Sequence, residues 1–192
     1  MEIDRQTALI VVDVQNDFCP GGSLAVPRGD DVVPVLNRYI ERAQRAGASV
    51  YFTRDWHPAD HCSFAPRGGP WPVHCVQDTA GAQFHPQLNV PADAAIVSKA
   101  TQPAVDAYSG FQGTDLARRL RQQGVETLLI GGLATDYCVK QTVLDGLKEA
   151  FAVYLLTDGS RAVNVHPDDG RRAVHEMTSA GARPITLDQL RA

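Results

Sequence analysis

Two sets of residues in this 192-residue chain have types and spacings that can do chemistry. The first set is scattered. Asp13 follows the apolar run "ALIVV", Lys99 closes "AIVSK", and Cys138 lies beyond the paired glycines of "IGGLATDYCVKQTV". A thiol in the first turn of a helix meets unpaired N–H groups and the positive end of the helix dipole, which favour a thiolate. A carboxylate nearby can take the thiol proton, and an ammonium offsets the repulsion between carboxylate and thiolate. Cysteine nucleophile, aspartate base and lysine together point to acyl transfer from an amide-like substrate. Each residue alone has an ordinary explanation: a loop cap, a solvated lysine, a packed cysteine. The chemical reading depends on all three meeting at one place.

The second set is local. Asp55, His57 and His61 fall within the seven residues of "DWHPADH", and His74 follows thirteen residues later in "WPVHC". Imidazoles with one carboxylate suit a first-row divalent metal. Three neutral imidazoles and one carboxylate leave a charge of about +1 on a 2+ ion, so such a site can keep water or accept a neutral nitrogen ligand. Two alternatives stay open from the residues alone. Cys62 or Cys75 can enter the shell and make a closed structural zinc staple, or the segment is a proline-rich surface loop with scattered histidines.

The elements needed to gather the first set can be read from the pattern. "ALIVVDV", "SVYFTRD", "AIVSKA", "TLLIGG", "AVYLLTDG" and "RPITL" read as strands, several of them continuous apolar runs typical of strands buried on both faces. A helix is expected from about Asp31, with Val32, Leu36, Tyr39, Ile40 and Ala43 as its apolar stripe and Gly47 as its stop. Further helices are expected over "TDLARRLRQQG", capped by Thr114, over roughly Asp136 to Glu149, and over most of "HPDDGRRAVHEMTSAG". Trp56 to Pro91 reads as irregular. Strands alternating with amphipathic helices predict a doubly wound α/β fold, with a mostly parallel sheet of about six strands and helices on both faces, in one domain spanning 1–192. Ligands in such folds bind outside the carboxyl ends of the strands. Asp13, Asp55, Lys99 and "GGLATDYC" are the residues at those ends.

Composition sets the remaining bounds. Hydrophobic residues make up 44% and charged residues 21%, ordinary for a globular protein, and the formal net charge is -4. That balance argues against nucleic acid or an anionic membrane as the main partner. The start of the chain is acidic and its apolar run Ala8 to Val12 is short, unlike a signal peptide, and no stretch approaches a membrane span. The expectation is a cytoplasmic protein whose Cys19, Cys62, Cys75 and Cys138 are reduced.

The segments "VVDVQNDFCPGGSLAV", "DWHPADHCSF", "WPVHCVQDTAGAQFHPQL", "SKA", "AYSGF" and "GGLATDYCVKQT" resemble, in order, those of nicotinamidases (pyrazinamidases) of the isochorismatase-like cysteine hydrolase superfamily. The first and last are shared widely in the superfamily, and the metal segment with "WPVHC" narrows the likeness. The resemblance implies hydrolysis of nicotinamide, as in NAD salvage, and of pyrazinamide too, to the carboxylic acid and ammonia through a cysteine thioester. It maps the triad onto Asp13, Lys99 and Cys138, and the metal ligands onto Asp55, His57, His61 and His74, with Cys62 and Cys75 as neighbours. The implied cofactor is one divalent ion, zinc first, with iron or manganese also suited, docking the pyridine nitrogen. The implied oxyanion donors are the N–H groups of Ala134 and Cys138, with a cis peptide bond between Leu133 and Ala134. Phe18 and Trp71 match the family's contacts to the ring, and Leu24, Tyr108, Leu133, Ala134 and Tyr137 complete the implied pocket. Tyr137 stands where some relatives carry histidine, a change of lining rather than of chemistry. Cys19, His85, His166 and His175 receive no catalytic role. Monomer and homo-oligomer are both compatible with the sequence. The rival readings are a metal-independent amide hydrolase or isochorismatase relative, and a non-enzymatic module with a structural zinc.

Overall fold

Six apolar segments pair into one parallel sheet: β1 (Thr7–Val12), β2 (Ser49–Asp55), β3 (Ala95–Lys99), β4 (Thr127–Leu133), β5 (Ala152–Arg161) and β6 (Arg183–Ile185). The computed structural model describes residues 1–190. Strand order is β3-β2-β1-β4-β5-β6, and every neighbouring pair is parallel. The chain therefore winds outward from β1 in one direction and from β4 in the other. The switch between the two directions, where doubly wound sheets open a crevice, lies between β1 and β4.

Alternate residues of the central strands feed two cores. Leu9 and Val11 pack with Phe52, Leu129 and the stripe of α1 (Val32–Ala46) on one face. Ala8, Ile10 and Val12 pack on the other with residues of α2 (Leu116–Gln122), α3 (Lys140–Lys148) and α4 (Asp169–Ser179). A strand with both faces covered has no solvent side, which is why "ALIVV" is apolar throughout. Along α1 the buried residues are Val32, Val33, Leu36, Tyr39, Ile40 and Ala43, and Gly47 closes the helix with a left-handed φ of 72°.

Several boundaries differ from the sequence pattern. The helix expected over Asp136 to Glu149 is two elements, a π-helical turn (Thr135–Val139) followed by α3. β5 runs on to Arg161 and pairs Ser160 and Arg161 with Gly132 and Leu133 of β4 after a register shift. α4 begins at Asp169, because Asp136 on the π turn holds the preceding chain by accepting the N–H groups of Val163 (2.9 Å) and Asn164 (2.8 Å). Thr114 takes the N–H of Leu116 (3.3 Å), so it serves α2 from one residue outside the cap position. From Trp56 to Ala94 the chain forms isolated bridges, His57 with Val76 and Phe64 with Trp71, and two short 3-10 turns.

Candidate active site

β1, β2, β3 and β4 deliver the rim. Asp55 and Lys99 are the last residues of β2 and β3 and are partners in the parallel register. Asp13 follows β1 in a left-handed conformation, φ 49°, which turns the chain out of the sheet. Next door, β4 lies so close to β1 that a Cβ on Gly132 would fall 2.1 Å from the carbonyl oxygen of Val12. Glycine at 132 is thus what lets the strand bearing the thiol turn approach Asp13.

Lys99 joins the rim together. Its Nζ lies 2.9 Å from Asp13 Oδ2, hydrogen-bonds Asp55 Oδ1, and donates to the carbonyl of Ala107 (3.3 Å) and to Cys138 Sγ (3.5 Å). The ligating atoms of Asp13, Asp55 and Cys138 lie within 4.8 Å of one another. Burial is nearly complete, with exposures of 0% for Asp13, 1% for Lys99 and 6% for Cys138. Burial penalises the charge on Lys99, but Asp13 and Asp55 outweigh it and hold the ammonium well above its ordinary pKa. Burial raises the pKa of Asp13 against the attraction of Lys99, and a raised carboxylate is a stronger base toward a thiol. Burial likewise pushes the Cys138 thiol well above its usual range, with Lys99 pulling the other way. Thr53 Oγ1 donates to Asp13 Oδ1 (2.6 Å) and fixes the carboxylate plane, while Oδ2 faces Lys99 without an aligned hydrogen-bond donor.

The π turn changes which N–H groups the carbonyl of Ala134 accepts. In an α-helix the carbonyl of Ala134 would accept the N–H of Cys138. Here it accepts those of Tyr137 (3.0 Å) and Val139 (3.1 Å) and passes over Cys138. The peptide bond between Leu133 and Ala134 is cis. Ala134 and Cys138 are both buried beside the rim.

The second residue set meets the rim at Asp55. Asp55, His57 and His74 present ligating atoms within 4.8 Å of one another, and all three are buried. His57 Nδ1 lies 3.3 Å from the carbonyl of Ala100, and His74 Nδ1 lies 2.7 Å from that of Pro72. Each carbonyl accepts the Nδ1 proton and leaves the Nε2 lone pair free, as in metal-binding histidines held from behind. His57 Nε2 is 3.6 Å from Asp55 Oδ2. Burial lowers the pKa of His74, which favours the neutral, ligating form. This donor set fits a divalent metal on its own chemistry.

His61, expected as a fourth ligand, is outside that cluster among the described residues. Its ring packs 4.2 Å from that of His57, but both nitrogens are engaged, Nε2 with the carbonyl of Val105 (3.1 Å) and Nδ1 with Ser63 Oγ (2.7 Å). Neither Cys62 nor Cys75 joins a ligand cluster among the described residues. Burial and the carboxylates of Asp55 and Asp17 push the Cys75 thiol well above its ordinary range, which keeps it neutral.

Of the expected ring contacts, Trp71, Tyr108 and Tyr137 form one aromatic group. Trp71 Nε1 donates to the Tyr108 hydroxyl (2.9 Å), and its ring meets Tyr137 edge-on at 5.0 Å. Phe18 lies 5.6 Å from the ring of His74, Leu133 is buried, and Leu24 packs half-buried against the core. Four supporting residues had no assigned role in the sequence pattern. Thr53 orients Asp13, and Gln15 and Asp17 bond the backbone at Asp55 and Cys75. Phe64 sits 5.4–5.7 Å from the rings of His57, His61 and His74. The periodicity of β2 could have shown Thr53, which lies two residues before Asp55 on the same side. The others have no periodic signal.

Residues 7–189 match the isochorismatase domain family. The chain is 47% identical over 201 residues to the nicotinamidase of Escherichia coli (strain K12), covering 94% of each. It superposes on the zinc complex of the pyrazinamidase of Pyrococcus horikoshii with a TM-score of 0.91 and 52% identity, covering 95% of this chain and 99% of that one. The L. infantum protein PnC1, solved with nicotinate, gives a TM-score of 0.91 at 34% identity, covering 100% and 98%. A family match across nearly the whole chain, on a sheet that brings a cysteine, an aspartate and a lysine to its switch point, establishes that the chain belongs to the isochorismatase-like superfamily, in its nicotinamidase/pyrazinamidase branch.

Proposed function

We propose that this enzyme hydrolyses nicotinamide, and pyrazinamide with it, to the carboxylic acid and ammonia, with Cys138 as nucleophile. The observation that carries the reading is Lys99 Nζ, which contacts Asp13, Asp55 and Cys138 at once in a buried site. Asp13 accepts the Cys138 proton as Sγ bonds to the carboxamide carbon. The N–H of Cys138, passed over by the carbonyl of Ala134, and that of Ala134 receive the negative oxygen. Asp13 then passes the proton to the nitrogen, the carbon–nitrogen bond breaks and ammonia leaves. Water attacks the thioester, Asp13 takes one of its protons and returns it to sulfur, and the acid departs. Lys99 keeps one positive charge beside Asp13, Asp55 and Cys138 throughout, and because the proton passes from sulfur to Asp13, the transfer adds no net charge to the buried group.

Asp55, His57 and His74 would hold the divalent metal, for which zinc, iron and manganese all suit the donors. When bound, it supplies a docking point for the ring nitrogen and fixes the carboxamide over Cys138. The E. coli and P. horikoshii relatives support both the substrate and the metal. Phe18, Trp71, Tyr108 and Tyr137 enclose the ring, with Leu24, Leu133 and Ala134 completing the lining. We read the whole chain as one hydrolase domain acting in the cytoplasm on a small molecule, without nucleic acid or membrane as partner. Among the described residues, no helix is long and apolar enough to cross a membrane. The test is ammonia release from nicotinamide before and after chelation, with zinc added back. Turnover that falls on chelation and returns with zinc is expected. Metal-bound protein that releases no ammonia from nicotinamide would overturn the substrate.

A further inference from the structure

The four residues after Asp13 reach both ends of the metal half of the site. Gln15 is fully buried. Its Nε2 donates to the carbonyls of Asp55 (2.8 Å) and Ala82 (2.9 Å), and its Oε1 accepts the N–H of Asp55 (2.8 Å). One side chain thus holds both backbone groups of Asp55. Two residues on, Asp17 Oδ2 accepts the N–H of Cys75 (2.7 Å), the residue after His74, and Oδ1 accepts the N–H of Ser23 (3.2 Å). Asp17 is closely cradled, since a Cβ on Gly81 would fall 2.1 Å from its Oδ2. Cys75 has a left-handed φ of 45°, so the bond to Asp17 holds a turn that a non-glycine residue does not adopt freely.

We propose that Gln15 and Asp17 are positioning residues that set Asp55 and His74 at ligating distance from each other. The segment Val14–Asp17 then acts as a clamp, making the proton acceptor and the metal site one rigid unit. Of the clustered ligands, Asp55 ends β2, whereas His74 lies on the irregular segment that follows, outside any strand. Backbone pairing links the residues after His74 to His57, through the His57 N–H on the Cys75 carbonyl (3.0 Å) and the Gln77 N–H on the His57 carbonyl (2.8 Å), and the clamp adds side-chain bonds to Asp55 and Cys75 from the Asp13 side. His57, between them in sequence, carries that pairing in its bridge to Val76.

The proposal rests on the assignment of Asp55, His57 and His74 as the metal site, and zinc affinity tests it apart from any substrate. Competition against a chromophoric chelator would be measured for wild type, Gln15→Leu, Gln15→Glu and Asp17→Asn. KM and kcat for nicotinamide at saturating zinc, and Tm without zinc, would be measured alongside. Gln15→Leu is expected to weaken zinc binding by roughly 10–100-fold, the usual cost of losing a group that orients a ligand. KM should rise more than kcat falls, because a displaced metal mispositions the ring. Gln15→Glu keeps the acceptor for the Asp55 N–H and should fall between wild type and Gln15→Leu. Asp17→Asn keeps one of two acceptors and should show a smaller loss. If Gln15→Leu fails to fold, the two milder variants carry the test. Variants with lowered Tm but wild-type zinc affinity would overturn the clamp. A wild type that binds no zinc would overturn the metal assignment and the clamp together. Zinc-binding wild type that is inactive on nicotinamide would overturn only the substrate, and the ranking of zinc affinities would still decide the clamp.

Discussion

The nucleophile half and the metal half of this site are built by different means. Asp13, Lys99 and Cys138 stand at or just beyond strand ends of one sheet, and backbone pairing between β1, β2, β3 and β4 fixes their spacing. His57, His61 and His74 lie on a segment with no strand of its own, held by two isolated bridges, Phe64, and side chains that bond backbone. Asp55 belongs to both, as the last residue of β2 and a member of the metal cluster. The sheet can therefore tolerate loss of a rim side chain and stay folded, whereas the loop half depends on its side chains for its shape.

That difference is sharpest at Cys138. Cys138→Ala is expected to abolish ammonia release while leaving zinc affinity and the circular dichroism spectrum as in wild type. The stability cost should stay at or below about 2 kcal/mol, since one sulfur is removed from a packed turn. Residual turnover near wild type would dismiss the thiol as nucleophile. Lys99→Met tests the rim from its charge. It leaves Asp13 and Asp55 buried side by side with no cation, and removing one partner of a buried ion pair typically costs about 3–5 kcal/mol. Denaturant titration should show that loss together with inactivity. A variant as stable as wild type would mean that the buried ammonium does not offset the carboxylates.

The same division explains what could be read in advance. The continuous apolar runs of β1 and β4 revealed a doubly covered sheet, and a sheet of that class has its chemistry at the carboxyl ends of its strands. Asp13, Asp55, Lys99 and the Cys138 turn followed from that alone. The π turn at Thr135–Val139 did not, because a π turn and a first α turn share nearly the same hydrophobic spacing. In the loop half, residue types announced a metal, but no periodicity says which histidine turns inward. His61 is drawn aside by Ser63, only two residues later, and by Val105, far along the chain. Gln15 and Asp17 were hidden for a related reason: their partners are backbone groups 40 and 58 residues away.

The two histidines of "DWHPADH" sharpen the loop half of the comparison. His57→Ala removes a clustered ligand and should weaken zinc binding beyond the roughly 10–100-fold that loss of a supporting group costs. The Cys138 thiol should remain open to alkylation in that variant. His61→Ala removes a ring that packs on His57 and bonds Ser63 and Val105, so its zinc affinity should fall roughly tenfold or less. Chelator competition separates the two. Equal losses would place His61 in the metal shell, after a ring rotation that gives up the carbonyl of Val105.

The smallest expected effect compares two buried thiols. Burial raises both, Cys138 against the pull of Lys99 at 3.5 Å, and Cys19 together with the carboxylate of Asp30, from 9.0 to about 11. In the unfolded chain the Cys19 thiol ionises near its ordinary value. A folded pKa above the unfolded one means that the native state holds the proton more tightly. The resulting stabilisation is complete below about pH 9 and is lost as pH rises from there through about 11. Cys19→Ala removes that dependence along with the packing of the sulfur. The stability gap between wild type and Cys19→Ala, measured by denaturant titration under reducing conditions, should therefore be larger at pH 8 than at pH 10. The difference should be about 1 kcal/mol or somewhat less after screening by solvent. Iodoacetamide at pH 8 should mark Cys138 before Cys19, because Asp13 stands within 4.8 Å to take the Cys138 proton, and nicotinate should slow the reaction at Cys138 only. A gap that stays constant between the two pH values would show that Cys19 ionises as an unperturbed thiol.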